Sequence, residues 1–187
     1  AAMDAVICMG ASVSMAHGFE KALGREQSRH TVAVIGDSTF VHTGVNGLIN
    51  AVYNKSNITL IILDNSTTGM TGHQENPATG KTIRRETTYK LDLYDLCKAC
   101  GADSVRVTDA YDLANTEKVI KEELARDGVS VIIAQRPCAL LDKSEKIPHV
   151  VTDKCRNCKA CLRLGCPAIV AGKDRVSIDF SLCTGCG

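Results

Sequence analysis

The chain has 187 residues and a formal net charge of +1, with 44% hydrophobic and 23% charged residues. This length suits about one domain plus a small module, and the composition is that of a protein with a packed core, which excludes wholesale disorder. The near balance of charges argues against a nucleic-acid-binding tail or a polybasic membrane anchor. No apolar run is long enough to cross a membrane, and no secretory signal is visible.

Short apolar runs alternate with helical patterns along the first part of the chain. The predicted strands are residues 31–35, 58–63, 104–107 and 130–134. The predicted helices are residues 13–23, 44–53, 89–100 and 115–126. Continuous apolar strands are typical of a parallel sheet that is covered on both faces, so the pattern predicts an α/β fold with right-handed crossovers.

Two segments interrupt this alternation. Residues 64–88 are polar and rich in Gly, Thr and Asn, and a loop of that length in a compact domain is usually functional. Residues 137–153 have the composition of a linker. We therefore expect an α/β domain over residues 1–142 and a small module over residues 143–187. The last motif breaks off at Gly187, so we also expect the chain to be a piece of a longer protein, incomplete at both ends.

Six of the ten cysteines lie between Cys155 and Cys186. Two-residue gaps separate Cys155, Cys158 and Cys161, and Cys166 is followed by proline. Thiolates at this spacing in a tight loop are placed to bind three irons of one cubane cluster, while a cysteine before proline serves a second cluster. A zinc site and a set of disulfides are the alternatives, although zinc ligands usually form two widely separated pairs. Clustered cysteines behind an α/β domain favour metal binding in the cytoplasm over a secreted disulfide framework.

The cysteine-rich region resembles a bacterial-type ferredoxin with two 4Fe-4S clusters. The implied ligands are Cys155, Cys158 and Cys161 for one cluster, and Cys166, Cys183 and Cys186 for the other. Four residues separate Cys161 from Cys166 where the ferredoxin pattern has three. Each cluster would lack one ligand within this chain.

Polar residues follow two of the predicted strands at the point where each strand ends. Gly36 and Asp37 follow the first strand, and Asn65 follows the second. The carboxyl ends of adjacent parallel strands meet at one sheet edge, so the side chains of Asp37 and Asn65 are expected to approach each other. Carboxylate and amide oxygens suit Mg²⁺, which could clamp a diphosphate there. Two unrelated turns are the alternative interpretation.

This pattern resembles the Gly-Asp-Gly…Asn-Asn signature of thiamine-diphosphate enzymes, with Ser38 in place of the last glycine and Asp64 in place of the first asparagine. The resemblance implies that Asp37 and Asn65 bind Mg²⁺ through side-chain oxygens and that Thr67 contributes its carbonyl. The cofactor-binding residues implied are Gly36, Asp37, Ser38, Asn65, Thr67 and Gly72.

Longer stretches extend the likeness over essentially the whole chain. They comprise residues 8–12, 36–44 and 71–80 together with the ferredoxin-like tail, and they resemble the C-terminal part of the alpha subunits of indolepyruvate:ferredoxin oxidoreductases. The resemblance implies oxidative decarboxylation of arylpyruvates to aryl-acetyl-CoA. Its implied cofactors are thiamine diphosphate, Mg²⁺ and 4Fe-4S clusters. Its implied partners are coenzyme A, a ferredoxin, a smaller beta subunit and a second alpha subunit.

His42 and His73 each follow a cofactor-binding turn and are the candidate catalytic residues, because an imidazole can bind a substrate carboxylate or relay a proton. Solvated loop histidines are the alternative. Two other functions also stay open: a non-oxidative thiamine-diphosphate decarboxylase or synthase, and an electron-transfer module on an inert α/β scaffold.

Overall fold

A computed structural model describes residues 3–28, 30–141 and 147–185. The chain divides into two compact units, Ala1–Cys138 and Ala139–Gly187. The boundary expected from the sequence, between residues 142 and 143, lies outside the described residues.

The first unit is built on a four-stranded parallel sheet in the order β1-β2-β4-β3. Its strands are β1 (Val32–Gly36), β2 (Ile58–Asp64), β3 (Ser104–Asp109) and β4 (Val129–Gln135). The register pairs Gly36 with Leu63 and Asp64 with Gln135, so the carboxyl ends of the strands align at one edge. The predicted α/β fold and all four predicted strands are confirmed.

Helices connect these strands. They are α1 (Ala11–Leu23), α2 (Arg25–Ser28), α3 (Asp37–Thr39), α4 (Val45–Tyr53), α5 (Leu93–Ala99) and α6 (Leu113–Leu124). A π-helical turn, Phe40–Gly44, joins α3 to α4, so the chain is helical from the end of β1 onward rather than from residue 44.

The predicted helix over residues 89–100 is wrong at its start. The structure begins α5 at Leu93, because the Asp92 carboxylate accepts hydrogen bonds from the backbone N–H groups of Tyr94 and Asp95 at 2.8 and 3.0 Å. This arrangement is an N-cap, which satisfies backbone donors that the first turn leaves unpaired. Asp112 caps α6 in the same way, at 3.0 Å from the Asn115 N–H.

The core of the first unit lies between the sheet and the helices. Its fully buried members include Phe40, Leu48, Leu60, Ile62 and Val131. The helical segment after β1 packs closely on the sheet at Gly44, where a Cβ atom would lie 2.8 Å from both Ile35 Cδ1 and Phe40 Cδ2. A larger residue here would have to displace the Ile35 or Phe40 side chain, so glycine permits the close packing that holds the helical segment on the sheet.

The second unit contains a 3₁₀ turn (Ala160–Leu164) and a short antiparallel hairpin of β5 (Ile169–Val170) and β6 (Ser177–Ile178). Ala168 and Val176 are its buried apolar residues. The ferredoxin-like architecture expected for this unit remains a prediction. Among the helices of the described ranges, none is long and apolar enough to cross a membrane.

The central position of β2 predicts a large effect of truncating its core side chain. Leu60→Ala should lower the free energy of unfolding by about 2–5 kcal/mol, because Leu60 is fully buried and the truncation leaves a cavity. Leu63→Ala on the same strand is the matched control, since Leu63 is 48% exposed, and it should cost under about 1 kcal/mol. Urea unfolding measures both variants. Equal losses of unfolding free energy in the two variants would contradict the burial of Leu60 and the exposure of Leu63.

Candidate functional site

The residues that follow β1 and β2 line one cavity of about 550 Å³ at the carboxyl edge of the sheet. Asp37, Ser38, Asn65 and Thr67 are all on its wall, and so is Gly36. The structure thus brings together five of the residues that the sequence analysis assigned to cofactor or Mg²⁺ binding. Gly72, the sixth, is not on this wall; it lies in the following loop with φ +110°.

Asp37 is a buried carboxylate at the first turn of the helical segment. Burial is the largest influence on its pKa and raises it, and the nearby Asp64 carboxylate raises it further. Hydrogen bonds from the Ser38 backbone N–H and the Asn76 side chain act in the opposite direction. The backbone N–H groups at the start of a helix are unpaired and carry partial positive charge, so this end of the segment favours an anion.

Asp64 is also buried, but its carboxylate oxygens are already engaged. Its Oδ1 accepts a hydrogen bond from the Ser66 N–H at 2.8 Å, and its Oδ2 accepts one from Gln135 Nε2 at 2.6 Å. Asp64 therefore holds the turn after β2 and joins it to β4. Neither Asp64 nor Asp37 is ion-paired with a lysine or arginine of the described residues.

Asn65 and Thr67 form a tight local turn in which the Thr67 N–H donates to Asn65 Oδ1 at 3.2 Å. An amide oxygen has two lone pairs, so Asn65 keeps acceptor capacity toward the cavity. Thr67 is buried, and its hydroxyl donates to the Gln74 carbonyl at 3.4 Å.

Two residues of the long loop, Asn76 and Thr68, support Asp37 through hydrogen bonds, and we call this pair the Asn76–Thr68 brace. Asn76 Nδ2 donates to Asp37 Oδ2 and to Thr68 Oγ1, both at 3.4 Å, and the Thr68 hydroxyl donates to Ser38 Oγ at 2.9 Å. Asn76 is itself fixed, because its Oδ1 accepts from the Ala78 N–H at 2.9 Å. No sequence pattern indicated a role for Asn76 or Thr68. The loop's composition marked the segment as functional, but nothing in it identified the residue that reaches Asp37.

The two candidate catalytic histidines stand outside the cavity wall. His42 is exposed on the π-helical turn. His73 is half-buried with φ +63°. Its backbone N–H donates to the Thr68 carbonyl at 3.0 Å, which connects His73 to the Asn76–Thr68 brace. Its Nδ1 atom is buried and has no hydrogen-bond partner in the part of the chain that the structure describes.

The five described cysteines of the second unit are free thiols. Cys155, Cys161 and Cys183 are half-buried, Cys158 and Cys166 are exposed, and Cys186 lies outside the described residues. None of the nine described cysteines is in a disulfide. Within residues 3–28, 30–141 and 147–185, no three histidine, cysteine, aspartate or glutamate side chains converge closely enough to hold a metal ion. The structure therefore places the five described candidate ligands in one unit without bringing three of them together, and the iron–sulfur assignment remains a prediction.

The cavity at the sheet edge has the donor set of a divalent-cation site. A buried carboxylate without a cationic partner is costly unless a counter-charge is supplied, and Asp37 is in that position. Asp37 and Asn65 offer hard oxygens of the kind that Mg²⁺ prefers, and the helix start beside them suits a phosphate. The residues present therefore fit a magnesium-bound diphosphate.

Comparison with known proteins gives a family and a set of relatives. Residues 2–134 match the family model described as thiamine pyrophosphate enzyme, C-terminal TPP binding domain. The chain is 41% identical, over 98% of its length, to the indolepyruvate oxidoreductase subunit IorA of Archaeoglobus fulgidus. It is 31% identical, over 76% of its length, to the sulfopyruvate decarboxylase subunit beta of Methanococcus maripaludis, of which it covers 65%. The resemblance to indolepyruvate oxidoreductase alpha subunits is thus confirmed.

The chain spans about 30% of the length of the IorA relative. Among solved structures, a 2-oxoglutarate:ferredoxin oxidoreductase from Magnetococcus marinus matches with a TM-score of 0.60 at 18% identity, covering 77% of this chain and 55% of that one. This likeness shows a shared fold.

The raised pKa of Asp37 predicts an unusual stability effect in the protein free of metal and cofactor. A carboxyl whose folded-state pKa lies above its unfolded value, about 3.9, stabilises the fold below that value, and the contribution is lost as pH rises through the folded-state pKa. Asp37→Asn should therefore raise the thermal midpoint at pH 7, with the gain disappearing near pH 3.5.

Asp109→Asn is the control, because the pKa of Asp109 is shifted in the opposite direction to that of Asp37. The Tyr111 N–H and Arg136 hold the pKa of Asp109 below its usual range, so its neutralisation should give no gain at pH 7. Scanning calorimetry at the two pH values decides the matter. A lower thermal midpoint for Asp37→Asn than for the unmodified protein at pH 7 would show that the buried Asp37 charge does not destabilise the fold, contrary to this prediction.

Proposed function

Because the chain belongs to the thiamine pyrophosphate enzymes and contains their C-terminal TPP-binding domain, we propose that its first unit binds thiamine diphosphate through Mg²⁺. Asp37 and Asn65 would hold the ion by side-chain oxygens and Thr67 by its carbonyl. The observation that carries this proposal is the buried Asp37 carboxylate, which shares a cavity wall with Asn65 and Thr67 and has no cationic partner among the described residues.

The remaining roles fall to the residues around that ion. Bound thiamine diphosphate supplies an electron sink for the loss of carbon dioxide from a 2-oxo acid. Gly36 and Ser38 provide backbone at the start of the helical segment, next to the diphosphate, and Gly72 gives the loop its turn. His73 is the candidate to donate a hydrogen bond to the substrate carboxylate or to move a proton, since its buried Nδ1 is unpartnered. His42 is the second candidate.

We propose an arylpyruvate as the substrate. All four methionines of the chain line the cavity that holds Asp37 and Asn65, and five large aliphatic side chains continue the same wall. The methionines are Met3, Met9, Met15 and Met70, and the other residues are Val6, Ile7, Val34, Ile35 and Leu63. Thioether side chains adapt to flat rings and make favourable sulfur–aromatic contacts. The 41% identical relative is named as a subunit of an indolepyruvate oxidoreductase, which supports the same substrate class.

We further propose that the second unit carries 4Fe-4S clusters and that the acyl product leaves on coenzyme A. The cysteine spacing and the free thiols support the clusters, which would pass electrons singly to a ferredoxin. Cys155, Cys158 and Cys161 would bind one cluster. Cys166, Cys183 and Cys186 would contribute to the other.

The same proposal includes an assembly. The IorA relative is named as a subunit of an oxidoreductase, which supports assembly of this chain with other subunits. We propose a smaller beta subunit and a second copy of this chain as the partners. The free cysteines support a cytoplasmic location, where thiols stay reduced.

A non-oxidative thiamine-diphosphate decarboxylase is the second candidate, because the chain is 31% identical to a sulfopyruvate decarboxylase subunit. The two functions differ in the fate of the electrons. An oxidoreductase reduces an acceptor and needs coenzyme A, whereas a decarboxylase releases an aldehyde with neither. Product analysis with phenylpyruvate, with and without coenzyme A, separates them.

Cofactor binding can be tested in the intact protein by calorimetric titration of thiamine diphosphate, with Mg²⁺ and with EDTA. Asp37→Ala should abolish the magnesium-dependent binding. Asn76→Ala should weaken it by about tenfold, the cost of one charge-assisted hydrogen bond of about 1.5 kcal/mol, because the Asp37 carboxylate loses its orienting donor. Asn50→Ala, on the exposed surface of α4, is the matched control and should leave binding unchanged. Full affinity in Asp37→Ala would overturn the assignment of the ion site.

The iron–sulfur proposal predicts a coloured intact protein that contains iron and acid-labile sulfide after anaerobic purification. Cys158→Ser should lower the iron content, since one cluster loses a thiolate, whereas Cys8→Ser in the first unit should not. Elemental analysis provides the measurement. A colourless protein that contains zinc would contradict the assignment of 4Fe-4S clusters to the second unit.

A further inference from the structure

Residues 80–90 of the long loop form a closed hairpin. An antiparallel bridge pairs Lys81 with Thr87, the Thr82 N–H donates to the Glu86 carbonyl at 2.9 Å, and the Thr88 N–H donates to the Gly80 carbonyl at 3.0 Å. The turn is completed by the Arg85 N–H, which donates to the Thr82 carbonyl at 2.8 Å. This segment is therefore an ordered arm.

Hydrogen bonds hold the turn of the hairpin although its backbone is strained. Arg85 has φ +65°, a conformation that glycine and asparagine adopt much more readily than arginine. The Thr82 hydroxyl compensates by accepting hydrogen bonds from the backbone N–H groups of Arg84 and Glu86 at 3.3 and 3.2 Å. Strain of this kind persists where the surroundings enforce it, and it often accompanies a binding function.

The hairpin carries a concentrated positive charge. It holds four cationic side chains against one carboxylate, Glu86. The cations are Lys81, Arg84, Arg85 and Lys90. All four are exposed, and none is hydrogen-bonded or ion-paired through its side chain to a described residue. By contrast, Arg106, Arg126 and Arg136 of the same unit each pair with a carboxylate.

The base of the hairpin adjoins the cofactor site. The hairpin follows Asn76, whose side chain donates a hydrogen bond to Asp37. Its two ends are joined where the Leu91 N–H donates to the Pro77 carbonyl at 2.9 Å. Lys90 and Asp64 line one small cavity of about 100 Å³, so the returning strand lies at the carboxyl edge of the sheet. At Gly80, with φ +76°, a Cβ would lie 3.1 Å from Lys90 Cβ, which keeps the two strands close.

We propose that this hairpin binds the phosphate groups of the acyl acceptor, a nucleotide-bearing thiol of the coenzyme A type. The inference rests on the proposed function, which requires such an acceptor. Guanidinium and ammonium groups bind phosphate oxygens by charge-assisted hydrogen bonds, and Arg84 and Arg85 are adjacent at the turn. Tyr89 is 79% exposed and offers a ring on which the adenine can stack.

The position of the hairpin favours this ligand over an acidic electron-transfer protein. By the proposed function, the acyl group would form at the sheet edge of the first unit, which the base of the hairpin adjoins. Electrons would leave through the cysteines of the second unit, which has exposed cations of its own at Lys154, Arg156 and Lys159. In this proposal the hairpin cations therefore serve the acyl acceptor.

The test uses a double variant of the holoenzyme, Arg84→Ala with Arg85→Gly. Arg85→Gly removes a guanidinium and suits the positive φ of the turn, so the hairpin should remain folded. The Kd of coenzyme A, measured by calorimetry without substrate, and its KM should both rise at least about tenfold. The kcat at saturating coenzyme A should not change. The loss should be smaller for dephospho-coenzyme A, which lacks the 3′-phosphate.

Two further variants complete the experiment. Arg85→Lys keeps the charge and should retain most of the affinity, and Lys98→Ala, an exposed lysine on α5, should behave as wild type. Unchanged Kd and KM for coenzyme A in the double variant would overturn the proposal, as would a rise confined to the KM of ferredoxin. Because the calorimetric Kd needs no turnover, coenzyme A binding that depends on the two arginines supports the hairpin site even where 2-oxo acid oxidation is absent.

Discussion

The site depends on two carboxylates, Asp37 and Asp64, that are buried at the ends of neighbouring parallel strands. Their charges repel, and no lysine or arginine of the described residues pairs with either one. Folding tolerates Asp64 because Ser66 and Gln135 donate hydrogen bonds to it. Asp37 accepts hydrogen bonds from the backbone N–H groups of Ser38 and of Asp37 itself and from the distant Asn76 amide, none of which carries a full positive charge, so its buried carboxylate still lacks a counter-charge and creates a demand for one. A divalent cation meets that demand.

The rest of the first unit positions Asp37 for this task. Close packing at Gly44 fixes the helical segment that begins at Asp37, and the parallel register sets Asn65 at the same edge of the sheet. The long loop then folds back, so that Asn76 and Thr68 connect Asp37 to Ser38. The same loop continues into the hairpin of residues 80–90, so one segment both supports the proposed ion site and carries the four exposed cations.

Sequence patterns predicted the strands and the residues at their ends. Continuous apolar runs are sufficient for buried parallel strands, and Asp37 and Asn65 follow such runs directly. The early helix start was missed, because Thr39, Phe40 and Val41 have modest helix propensity and are held helical by packing on the sheet. The Asn76 contact was missed for a different reason. A loop residue that turns back on a distant strand end leaves no periodic signal in the sequence.

The most direct measurement is a crystal structure of the intact protein grown with thiamine diphosphate and Mn²⁺, with the metal located by anomalous scattering. We expect one manganese peak at about 2.1–2.2 Å from an Asp37 carboxylate oxygen, Asn65 Oδ1 and the Thr67 carbonyl, in contact with the diphosphate. Anomalous density that is bound elsewhere, with Asp37 and Asn65 uncoordinated in a complex that holds the cofactor, would contradict it.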